Sequence, residues 1–245
     1  MSLFWMCLIT LVILQASVFF TTIFLHRFRT HRGLELHPAV GFLMHLELSL
    51  FTGVVPRQWV AVHRKHHKFS DKELDPHSPL VFGMWHVLFG NYFYYRRVAD
   101  DPRDVERYTS DWKNDPLDRL PLMNFAVFGG LAIFMLMFGV WWGLVAWVTH
   151  IVLYVFLNSA INSLGHTVGY RNFDQKATNL RWLALLTAGE GLHNNHHEFP
   201  ASGIFTHPTF LHRRMEIDLG WLVIRVLQAC GLARVKNVPV ATKAA

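Results

Sequence analysis

Four groups of residues have the types and spacing to bind metal. His26 and His31 stand five apart in His-Arg-Phe-Arg-Thr-His; His63, His66 and His67 form an H-x-x-H-H box; Asn162 precedes His166 by four; and His193, His196 and His197 form a second H-x-x-H-H box. Imidazole is a metal ligand in its neutral form, and it loses its proton near physiological pH. Residues three and four apart share a helix face, so the three histidines of each box are expected to point at one place, with Asn162 joining His166. His26 and His31 lie about 140° apart around an ideal helix, so they either reach two different metals or sit where the helix loosens. With 16 histidines in 245 residues, one H-x-x-H-H box arises by chance about 0.07 times. Two boxes are therefore not accidental. The groups hold nine histidines, more than the roughly four to six positions of one transition metal, so two metals are expected. Imidazole suits iron, copper and zinc alike, and the residues do not choose among them.

Other chemistries lack their residues. Cys7 and Cys230 are the only cysteines, which excludes a disulfide framework and cysteine-ligated zinc or iron–sulfur sites. No H-E-x-x-H motif occurs, and paired haems would need histidines deep on facing helices, where only His150 lies. His45 and His212 stand outside the boxes.

The elements that must position these groups are membrane helices. Residues 2–25 carry no charge and end at Arg27, Arg29 and Arg32, as a spanning helix does. A cleaved signal peptide fits poorly, because no basic residue precedes the run. Between Leu120 and Tyr170 there is no Asp, Glu, Lys or Arg. That length holds two spans, expected near 120–138 and 140–161, with a turn near Phe138-Gly139-Val140. Residues 40–55 are short and contain His45 and Glu47, and 219–233 are interrupted by Arg225 and Gln228, so both read as re-entrant or interfacial helices. The expected fold is all-α and integral to the membrane: three spans, with a helical cap holding the histidines, as one domain over 1–245. One span and one hairpin leave all 23 Lys and Arg residues on the same side, which the positive-inside rule makes cytoplasmic. All four groups then converge just outside the bilayer, provided that 40–55 enters and leaves on one face.

Composition agrees with this class. Hydrophobic residues make up 52% and charged residues 16%, low for a soluble protein. The net charge of +6 suits an anionic surface such as lipid headgroups or a phosphorylated carrier. Nucleic acid is not an expected partner. Only the tail after Lys236 looks loose.

The residues closely resemble the membrane fatty acid desaturases, in particular the acyl-CoA Δ9 (stearoyl-CoA type) branch. His26 to Arg32 is similar to H-R-x-x-T-H-R, Trp59 to His67 to W-x-x-x-H-R-x-H-H, and Ser70 to Pro79 to S-D-x-x-x-D-P-H-S-P. Asn162 to Arg171 resembles N-S-x-x-H followed by G-Y-R, Gly189 to Pro200 resembles G-E-G-x-H-N-N-H-H-x-F-P, and Glu216 to Arg225 resembles E-I-D-x-x-W-x-x-I-R. The resemblance runs over roughly residues 20–235. It implies that the nine histidines bind two irons cycling between Fe2+ and Fe3+, that Asn162 assists through water, and that O2 is the co-substrate. It also implies a fatty acyl substrate, acyl-CoA first, and a cis double bond introduced at Δ9. The electron donor would be a separate protein of ferredoxin, rubredoxin or cytochrome b5 type with its own reductase. Carboxylates are expected to orient the ligating rings, with Asp71, Asp75 and Glu190 the candidates, although Asp71 reads equally well as a solvated loop residue. The family usually carries a full helical hairpin before its first box, whereas 25 residues precede His26 here. A late start or a three-span variant is expected. A lipid hydroxylase or ketolase on the same scaffold, and a non-enzymatic metal-binding membrane protein, are the competing readings. The motifs around the boxes favour desaturation.

Overall fold

A computed structural model describes residues 2–209 and 215–238; His212 and the end of the tail lie outside the described residues. Helix α1 (Leu3–Phe20) continues without a break into a π-helical segment (Thr21–Thr30). Together they form a run of 28 residues, long and apolar enough to cross a membrane. One stripe of α1 is buried (Met6, Thr10, Leu14, Ser17, Val18), while Leu3, Phe4, Leu8, Leu11 and Val12 face outward, as a lipid-facing helix requires.

The second apolar region folds as a hairpin. A short 3-10 turn (Pro121–Phe125) leads into α7 (Ala126–Phe138), and α8 (Val140–Leu164) returns after Gly139. Both arms of the hairpin qualify as spans. Between the first span and the hairpin, α2 (Pro38–Thr52) and α3 (Pro56–Phe69) meet at a 90° bend. Prolines 38 and 56 open these helices at positions where a missing N–H costs nothing. α2 packs against α1 and α7, whereas α3 runs back toward the end of the π segment. A pair bent this sharply is either one broken span or a re-entrant hairpin.

The remaining helices form the cap. They are α4 (Pro79–Phe82), α5 (Met84–Ala99), α6 (Pro102–Tyr108), α9 (Arg181–Leu186), α10 (His193–Glu198) and α11 (Leu219–Ala229). α5 lies along α8, and Ser163 Oγ of α8 donates to the Met84 carbonyl at 2.7 Å. Strands β1 (Leu34–Leu36) and β2 (Ala233–Val235) pair antiparallel in register Leu34↔Val235, tying the chain after α11 to the chain after the first box.

The principal joint between spans and cap is a buried ion pair. Arg27 is fully buried and donates to both carboxylate oxygens of Asp218, at 2.9 and 3.0 Å, and to the Gly203 carbonyl at 2.9 Å. Its guanidinium lies 3.7 Å from the centre of the Phe205 ring. Asp218 also caps α11 by accepting from the Trp221 N–H at 2.9 Å. A buried charge needs this degree of pairing to be tolerated at all.

Candidate metal centre

The nine box histidines meet in two adjoining clusters. The first holds His26, His31, His63, His67 and His196; the second holds His66, His166, His193 and His197. Each box is therefore divided between the clusters. This corrects the expectation that three histidines of one box aim at one place. His66 and His67 are 100° apart around α3, too wide for one centre, so the i,i+4 pair His63/His67 serves the first cluster and His66 the second. The box on α10 divides in the mirror sense, with His193/His197 in the second cluster and His196 in the first.

His26 and His31 share the first cluster because the helix loosens there. In a π-helix the hydrogen bond runs from i to i+5, and the His31 N–H indeed donates to the His26 carbonyl at 3.1 Å. Residues five apart then stack on one face, and the two rings sit 4.8 Å apart.

The geometry suits metal. Nε2 atoms face one another at 3.0 Å (His26–His196), 3.1 Å (His31–His63), 3.0 Å (His63–His67) and 2.9 Å (His67–His196). In the second cluster the separations are 3.3 Å (His66–His197), 3.0 Å (His166–His193) and 3.2 Å (His193–His197). Neighbouring ligands on a metal with bonds of ~2.1 Å at right angles stand about 3 Å apart. Burial, and then the neighbouring histidines, hold His63, His67, His193, His196 and His197 well below the ordinary imidazole range. Held that low, these five rings are neutral near pH 7, the form a metal ligand must take.

Three carboxylates fix ring orientation from behind. Glu190 accepts from His26 Nδ1 at 2.6 Å, Asp75 from His66 Nδ1 at 3.0 Å, and Asp71 from His166 Nδ1 at 2.8 Å. Each partnership puts the proton on Nδ1 and leaves Nε2 to face the centre. The solvated alternative for Asp71 is removed: its side chain is buried and also accepts from Ser78 Oγ at 2.9 Å. Burial works to raise the Asp75 carboxyl, but the His66 imidazole beside it holds it well below the usual range.

Two glycines let the last box approach. Gly189 has φ +104°, and a Cβ there would lie 2.3 Å from Asp218 Oδ1; a Cβ on Gly191 would lie 2.3 Å from the Ala184 nitrogen. Trp59 stacks on His63, with ring centres 4.9 Å apart and planes 12° from parallel. Asn162 lies one turn before His166, and its Nδ2 donates to the Asn158 carbonyl at 3.1 Å. His45 belongs elsewhere, bonded to Asp115 at 2.7 Å, and His77 lies buried with its ring 4.9 Å from that of His66. Neither Thr22, which donates to Glu190, nor the asparagine lattice under α10 carries a signal in local sequence pattern.

Comparison with known proteins agrees with the site. The fatty acid desaturase family profile matches residues 3–218. An sn-1 stearoyl-lipid 9-desaturase of Anabaena variabilis is 34% identical over 233 residues, covering 91% of this chain and 79% of its own length. An acyl-CoA 5-desaturase of Anemone leveillei is 33% identical, covering 97% of this chain and 73% of its own. An icosanoyl-CoA 5-desaturase of Limnanthes douglasii is 34% identical, covering 98% and 66%. The chain belongs to the fatty acid desaturase family. It is a membrane-type oxidoreductase of fatty acid metabolism with two histidine clusters able to hold metal.

Proposed function

We propose that the chain is a di-iron, O2-dependent acyl desaturase that places a cis double bond at Δ9 of a saturated chain carried as acyl-CoA. The observation that carries this reading is the pair of adjoining histidine clusters, nine imidazoles in all, in a member of this family. Five histidines would hold one iron and four the other, with Asn162 reaching the second through water. When bound and reduced by two electrons from a separate carrier, such a centre activates O2 and removes two vicinal hydrogens from an unactivated chain.

The chain's own residues supply alignment and shelter. Glu190, Asp75 and Asp71 fix the ring tautomers, and Trp59 supports His63. Burial of the clusters excludes bulk water from the reacting methylenes. The charge distribution supports a cytoplasmic site, with residues 1–245 forming one desaturase unit, the N-terminus on the far side and the C-terminus cytoplasmic. Arg96 and Arg97, at the end of α5, and Lys65, within the box on α3, suit a phosphorylated carrier.

Purified protein should contain two irons per chain and no sulfide; a single tightly held zinc under iron-replete expression would overturn the di-iron reading. Expression in a desaturase-deficient cell should restore a Δ9 product. If the new double bond appears in intact lipid before it appears in the acyl-CoA pool, the carrier assignment fails. Asn162→Ala should lose most activity while keeping more iron than a histidine variant.

A further inference from the structure

The two clusters are backed unequally. Behind the second stand two carboxylates from one turn: Asp75 on His66 and Asp71 on His166. The turn is closed by its own bonds, since Asp75 Oδ2 accepts from the Asp71 N–H at 2.8 Å and Oδ1 from the His77 N–H at 3.1 Å. The nearby cation Lys176 reaches only the Asp71 backbone carbonyl, at 3.3 Å. Behind the first cluster stands one carboxylate, Glu190, and Oε1 of this residue is shared between His26 and Thr22. A guanidinium also lies on that side: Arg64 donates to the Thr30 carbonyl next to His31, at 3.1 Å, and is paired outward with Asp111. One buried Nδ1 in each cluster, His196 in the first and His193 in the second, has no hydrogen-bond partner, so among the groups bonded to the rings the difference lies in the carboxylates alone.

Hydrogen bonding of Nδ1–H to a carboxylate makes an imidazole a stronger donor, and negative charge nearby favours the higher metal charge. From the unequal backing of the clusters by Asp71 and Asp75 against Glu190 alone, we infer that the two irons differ in oxidation preference. The centre at His66, His166, His193 and His197 holds the ferric ion when the pair carries a single reducing electron. The electron itself resides at the centre of His26, His31, His63, His67 and His196. Asp71 and Asp75 are therefore positioning residues that also set which iron is oxidised.

This inference rests on the di-iron reading, and the test separates the two. Full-length protein in a membrane mimetic is loaded with 57Fe and its iron is counted; fewer than two irons per chain would sink the di-iron reading itself. Loaded protein is then given one electron equivalent of dithionite, and Mössbauer spectra are recorded at low temperature. The half-reduced pair should show separate ferric and ferrous components of equal area. Asp75→Asn and Asp71→Asn should change the ferric parameters, and Glu190→Gln the ferrous ones. Asp75→Glu should recover the wild-type ferric component, which a purely structural role would not require. A single averaged component, or an Asp75→Asn spectrum altered only in its ferrous component, overturns the inference. If the asparagine variants lose iron, the wild-type spectrum together with Glu190→Gln decides: a ferric component altered by Glu190→Gln places the oxidised ion at the wrong centre.

Discussion

The same H-x-x-H-H box is carried twice, on supports of opposite kind. On α3 it lies in a 14-residue helix whose turns fix the spacing, and the residues between the histidines, Arg64 and Lys65, are only half-buried. On α10 the helix is six residues long, too short to hold its own shape. There the intervening residues, Asn194 and Asn195, are buried. Asn179 Oδ1 accepts from both of their backbone N–H groups, at 2.9 and 3.3 Å. Asn195 Nδ2 donates to the Phe205 carbonyl and to Glu216, each at 2.9 Å, while its Oδ1 accepts from Asn172 and Asn179. Asn194 Nδ2 reaches the Phe173 and Ala177 carbonyls at 3.0 Å. One box is spaced by helix propagation and the other by a clamp of side-chain amides. The intervening residues should therefore be replaceable in the first and not in the second.

The largest effects fall where the boxes are alike. His67→Ala and His197→Ala should each abolish product and lower the iron content, since each removes one converging Nε2; a fully active variant of either would break the assignment. The next effect separates the boxes. Asn195→Ala leaves Glu216 Oε2, the Phe205 carbonyl and the Asn179 amide without their partner, at about 1–3 kcal/mol for each buried group left unsatisfied, while Asn172 keeps its bond to Glu216 Oε1. Iron content and melting temperature in detergent should both fall sharply, and an Asn195→Ala protein with wild-type iron would remove the clamp from the argument.

Arg64→Ala comes third. Its contacts with the Arg29, Thr30 and Tyr108 carbonyls and with Asp111 are partly exposed, so the expected loss is about 1–2 kcal/mol, with iron retained. Lys65→Ala is the smallest. Its pair with Asp104 lies near the surface and should cost under about 1 kcal/mol in a thermal melt. If Lys65→Ala destabilised the protein as much as Asn195→Ala, the two supports would not differ as described.

The sequence by itself determined the candidate ligands and the candidate spans. Nine histidines at box spacing needed no structure to be recognised, because metal chemistry restricts the residue type, and charge-free runs are legible because a bilayer admits few charges. The candidate carboxylates Asp71, Asp75 and Glu190 were also visible, by their place beside the boxes. Which histidine serves which centre was decided only by tertiary structure. Ideal-helix angles suggested whole boxes on single centres, whereas two clusters lying side by side take i,i+4 pairs from one helix and single rings from the other. The π-helical turn that unites His26 with His31 packs against α2, α3, α11 and β1, elements distant in sequence. The pairing of Arg27 with Asp218 spans 191 residues, and the asparagine lattice joins Asn172, Asn179, Asn195 and Glu216. Such contacts are invisible in sequence because hydrogen bonding between buried polar groups is set by which segments meet, and only the folded chain brings these together.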